Sequence, residues 1–114
     1  MLQADMIRFN ENEYIIIDTA EITLEQKGLA KLANYRQGVG AERILLVDKK
    51  ESLLVTAIDK QGRYDCLTMS DYRVAGVILG KVAIDDYMHH MELRITESFL
   101  QKILAPKKDM KIAS

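Results

Sequence analysis

A single cysteine, Cys66, stands in 114 residues, so no disulfide framework and no Cys-rich metal site is available. There is one proline, no tryptophan and only two phenylalanines, which leaves isoleucine, leucine and valine to build the core. No apolar run approaches the roughly 18 residues of a helical membrane span. The first residues, Met1-Leu2-Gln3-Ala4-Asp5, lack the basic and apolar blocks of a secretory signal. A reduced, cytoplasmic location is therefore expected. Excess positive charge is also missing: the net charge is −1 and the pI near 6.1, which argues against a sequence-independent nucleic-acid binder. What is present is ordinary globular composition, 48% hydrophobic and 29% charged. The length suits one domain, with residues 1–105 as its body and 106–114 as a basic, flexible tail.

Local pattern divides the chain into elements. Residues 6–9 alternate and read as a strand with Ile7 and Phe9 on one face. Asn10-Glu11-Asn12-Glu13 is a polar turn, and Tyr14-Ile15-Ile16-Ile17 is an apolar, β-branched run suited to a strand buried on both faces. Thr23, with Gln26 three residues on, opens a helix that stops near Gly38. Residues 43–47 and 53–58 are apolar strands, and residues 63–67 alternate as a hairpin partner. Ser70 reads as the N-cap of a second helix whose Tyr72, Val74, Ala75, Val77, Ile78 and Leu79 make it apolar nearly all round. Gly80 ends it. Residues 91–96 and 99–104 read as a last hairpin around Glu97-Ser98. Hairpins dominate, so the expected fold is α+β: a mainly antiparallel sheet wrapped on a buried helix.

The order and spacing of these segments resemble one lobe of the diaminopimelate epimerase family. Glu11-Asn12-Glu13-Tyr14-Ile15-Ile16-Ile17-Asp18 is similar to that family's opening segment. Residues 34–47, with Gly38-Val39-Gly40 before an apolar strand, carry the most specific likeness. Asp59-Lys60-Gln61-Gly62, Thr68-Met69-Ser70-Asp71-Tyr72-Arg73-Val74 and Leu93-Arg94-Ile95-Thr96-Glu97 follow in register, so the likeness covers about residues 5 to 104. It implies a strongly curved sheet around a central helix, and a cofactor-independent reaction. In that reaction two cysteines, one per lobe, move an α-proton across a cleft while helix N-termini hold the substrate carboxylate.

This chain departs from the family at the chemical positions. Thr68 stands at the catalytic cysteine, and a threonine hydroxyl does not ionise where a thiolate does. Met69-Ser70-Asp71 replaces Gly-Asn-Gly, and Asp71 puts negative charge where an anionic substrate would bind. Asp59 replaces a substrate-binding Asn. Of the substrate-contacting side chains only Asn12 matches outright, Arg73 matches the family's helix arginine, and Asn12, Asp59 and Arg73 are the substrate-binding candidates that the resemblance implies. The second lobe is missing.

Cys66, two residues before Thr68, becomes the nucleophile only if the register slips; its plain reading is a small buried hydrophobe on the strand leading to the helix. Asp85/His89 and Asp86/His90 would pair at helical spacing, but two ligands per face fall short of a metal site. Gly38-Val39-Gly40 precedes a strand, not a helix, so it is no dinucleotide fingerprint. No metal, cofactor, nucleic acid or membrane span is expected. The leading expectation is a non-catalytic single-lobe module working in protein–protein interaction or assembly. Its partner is a second copy or another protein, held by the face that a second lobe normally covers. The alternatives are a cofactor-independent amino-acid racemase or epimerase acting as a dimer or with a separate lobe, and a small-ligand binder using Asn12 and Arg73.

Overall fold

Alternation and β-branching produce six strands in the computed structural model, which describes residues 2–19, 41–50, 55–96 and 98. The strands are β1 (Leu2–Phe9), β2 (Asn12–Asp18), β3 (Arg43–Val47), β4 (Val55–Ile58), β5 (Tyr64–Asp65) and β6 (Met88–Ile95). One helix, α1 (Met69–Ile78), lies between β5 and β6. The strands form one open sheet in the order β5-β4-β3-β2-β1-β6. The β2–β3 pairing is parallel and the other four are antiparallel. The α+β class holds, and the sheet is mainly antiparallel as expected. The parallel pair was not foreseen.

Period-two alternation sorts the core onto two faces. Ile7, Phe9, Tyr14, Ile16, Leu45, Val47, Ala57 and Met88 meet Val74 and Ala75 of α1. Ala4, Met6, Ile15, Ile17, Ile44, Ile58 and Ile95 form the opposite face. Strands β2 and β3 are buried on both sides, which is why each reads as an unbroken apolar run.

Four local expectations need correction. The helix N-cap is Thr68, not Ser70, because Thr68 and Asp71 make a reciprocal capping box. The helix is not buried all round. It lies on one face of the sheet, burying Asp71, Val74, Ala75 and Gly76 while Tyr72 is 53% exposed. Strand β5 is only two residues long, because Asp65 and Cys66 turn toward Arg43, and β6 begins at Met88 rather than 91. The helix expected over 23–38, the strand expected over 99–104 and the tail from 106 lie outside the described residues. The helix ends at Leu79, and Gly80 then takes φ +74°, the left-handed conformation that glycine adopts without Cβ strain.

The β1–β2 turn stores a small strain. Asn10 (φ 54°) and Glu11 (φ 66°) are both left-handed, as in a two-residue primed turn. Asparagine suits this conformation, but glutamate does not. Glu11→Gly is expected to stabilise the protein by about 0.5–1 kcal/mol. Urea unfolding checks it; a variant less stable than the parent contradicts the turn assignment.

Candidate functional site

Arg43 opens β3 on the same side as Leu45 and Val47, so its side chain lies on the helix face. There it meets Asp71, the third residue of α1. Its Nε donates to Asp71 Oδ1 at 2.9 Å and its Nη2 to Oδ2 at 2.6 Å, a fork that matches a carboxylate's shape. The Asp71 side chain is 0% exposed, and that of Arg43 16%. Asp71 Oδ2 also accepts the Thr68 N–H at 2.9 Å, while Thr68 Oγ1 accepts the Asp71 N–H at 3.1 Å. The remaining Arg43 donors reach Asp65 Oδ2 at 2.8 Å and the Cys66 carbonyl at 3.0 Å. One guanidinium thus ties β3 to the end of β5 and to the start of α1.

Tyr14 of β2, directly beside Arg43 in the sheet, completes the cluster. The side chains of Ser70 and Asn12 neighbour its hydroxyl and favour its ionised form. Burial pushes its pKa up, and Ser70 opposes that only in part. The Arg43 guanidinium bonded to Asp65 holds that carboxyl below its usual range, helped by the Cys66 N–H. The Asp71 carboxylate in turn raises the Arg43 pKa.

The residues singled out in the sequence have the following places. Thr68 spends its hydroxyl on the helix cap. Cys66 is exposed just past β5, which overturns its reading as a buried hydrophobe: only its backbone is engaged, by Asp65 and Arg43. Asp59 closes the β4–β5 turn, its Oδ1 accepting the Gln61 and Arg63 N–H groups at 2.8 and 2.9 Å. Arg73 pairs with Asp85 at 2.8 Å and lies 5.3 Å from the centroid of the Phe9 ring, a cation–π distance. Asn12 starts β2 opposite Phe9. Asn12, Asp59 and Arg73 lie toward the end of the sheet where β2 and β3 begin, and Cys66 and Thr68 immediately precede α1.

His89 and His90 fall on a strand and not a helix, so they point to opposite faces. His90 Nε2 lies 2.8 Å from Asp5 Oδ1. Among the described residues, no group of three or more His, Cys, Asp or Glu could hold a metal. At the other end of the helix face is a polar hollow of about 240 Å³ whose walls include Gln3, Asp5, Asp18, Lys49, Glu92 and Arg94. No described helix is long and apolar enough to cross a membrane.

Sequence reasoning passed over Arg43 and Tyr14, taking both as ordinary strand residues. The signal was a charged residue at the parity of Leu45 and Val47. Asp71 was read as a repulsive charge facing ligand. It is in fact a buried charge neutralised from within. Its carboxylate stands at the helix N-terminus, where an external anion would otherwise bind.

No protein-family model matches the chain, and no curated protein sequence matches it.

Two outcomes are expected. Arg43→Met strands a buried carboxylate and costs about 3–5 kcal/mol. Adding Asp71→Asn recovers about 1 kcal/mol or more, because the stranded charge is gone. Equal urea midpoints for the single and double variants would contradict the pairing. Secondly, a phenol whose folded pKa is raised supports the fold fully below the unfolded value. That support is lost as pH rises through the folded pKa, so the loss begins near pH 10. Tyr14→Phe is expected to cost about 1 kcal/mol at neutral pH, and to flatten the alkaline fall in stability. Parallel curves for the two proteins above pH 10 would refute the assignment.

Proposed function

We propose that this chain is a non-catalytic module acting in protein–protein interaction or assembly, with the lobe architecture of diaminopimelate epimerase, a curved sheet about a helix. One observation carries the reading. The polar groups at the start of α1 and in the β4–β5 turn, to which the resemblance assigns proton transfer and carboxylate binding, are engaged in holding the fold. Asp71 is fully buried on Arg43, the Thr68 hydroxyl caps the helix, and Asp59 binds its own turn. An incoming carboxylate meets a negative charge already in place.

The surface around α1 supports a binding role. Met69 is 76% exposed and Tyr72 53%, with Tyr64 and Tyr87 also largely exposed. Large apolar side chains of this kind are the usual anchors of protein interfaces.

The epimerase alternative rests on one specific observation, the exposure of Cys66 beside the helix start. Amino-acid substrates incubated with the protein in D2O separate the two readings. A binding module leaves the α-proton unexchanged. Exchange that disappears in Cys66→Ala would replace the proposal with an epimerase.

A further inference from the structure

Among the described strands, β6 is the long edge of the sheet. It has eight residues, and among the described residues it pairs only with β1. An edge of that length is a template for another strand unless something guards it. We infer that the strand it takes is β6 of a second copy, paired antiparallel about a two-fold axis through Leu93. The inference rests on the assembly reading and names its partner.

The argument lies in the order Met88-His89-His90-Met91-Glu92-Leu93-Arg94-Ile95. In a symmetric antiparallel pair, opposite residues share a face, so the axis must pass through a residue and not between two. With Leu93 on the axis, Glu92 stands opposite Arg94 twice, on the helix face. On the other face Leu93 meets Leu93, flanked by Met91 opposite Ile95 on each side. The registers centred on the neighbouring residues are poorer. An axis at Glu92 or Arg94 sets like charges against each other. An axis at Met91 puts Arg94 opposite the buried Met88 and His89 opposite Leu93.

Among the described residues, these side chains have little company within one chain. Met91 is 57% exposed, an uncovered large apolar side chain on the edge strand. Glu92 stands directly across from Asp5 of β1, a like charge, and Asp5 is already bonded to His90. Among the described residues, neither Glu92 nor Arg94 has an ion-pair partner. A second β6 supplies a cation to each Glu92 and an anion to each Arg94.

Light scattering and sedimentation over a concentration series test this on the full chain, with Glu92→Arg, Arg94→Glu and the double exchange. The wild type is expected to dimerise with rising concentration. Each single exchange sets like charges opposite one another twice and should weaken the dimer about tenfold or more. The double exchange restores the pairs with reversed polarity and should recover dimerisation. Both side chains are exposed, so all three variants are expected to fold. A wild type that stays monomeric overturns the inference, and the assembly reading then requires a different protein as partner. A dimer indifferent to both exchanges overturns this edge while leaving the assembly reading in place.

Discussion

The Arg43–Asp71 fork is the contact on which the placement of the helix depends. Helix α1 has only ten residues, fewer than an isolated helix needs to persist in water. Its described buried side chains are small apart from Asp71: Val74, Ala75 and the bare Gly76. Val77 and Ile78 add partly buried contacts, but apolar burial is non-directional: it holds a helix to a sheet without fixing its rotation or register. The fork fixes both, because a bidentate pair has one geometry. The desolvation of a fully buried carboxylate is large, and Asp71 offsets it with three donors: two from Arg43 and one from the Thr68 N–H. Tyr14 then locks the same corner from β2.

That solution has a chemical consequence. A helix N-terminus attracts negative charge, and most proteins leave that charge to a cap or a ligand. Here the third helical residue supplies it, and the sheet supplies the counter-ion. What would be a receptor for a carboxylate becomes a closed electrostatic unit. The rest of the same helix is closed by packing. Val82 folds back so closely that a Cβ at Gly76 would lie 2.7 Å from its Cγ2, and Arg73 is pinned between Asp85 and Phe9. Asp71, Thr68 and Arg43 act here as internal fastenings, and Met69 and Tyr72 face solvent beside the half-exposed Arg73 and the exposed Cys66.

The strands were legible wherever a local pattern encoded them. β3 was read to the residue, and β2 to its apolar centre, because β-branched runs and turn residues act over a few positions. The helix start was also written locally, as Thr68-Met69-Ser70-Asp71. It was misplaced by two residues because Ser70 offers an equally good cap by type, and only the reciprocal hydrogen bonds decide between them. The parallel β2–β3 pairing and the one-sided burial of α1 were not legible, since both depend on which strand becomes a neighbour. The site was the least legible part. Arg43 and Asp71 are 28 positions apart. No spacing rule links them, and each taken alone looks like a solvated charge. Cys66 failed for the same reason: its exposure follows from the turn that Arg43 and Asp65 impose on its backbone.

The two edges of the sheet show opposite ways of managing unpaired backbone. Strand β5 is cut to two residues, and Arg43 takes up the acceptors at its end, so it offers little to pair with. Strand β6 keeps eight residues and carries charges instead. Charges on an edge normally repel every partner alike, but Glu92 and Arg94 flank an apolar residue with opposite sign. That arrangement discriminates: it opposes slipped registers and most foreign strands, and it favours one register of its own copy. A guard against indiscriminate pairing and a code for self-pairing are then the same two side chains, and a helix fixed at the far end of the sheet leaves that edge uncovered by any described element.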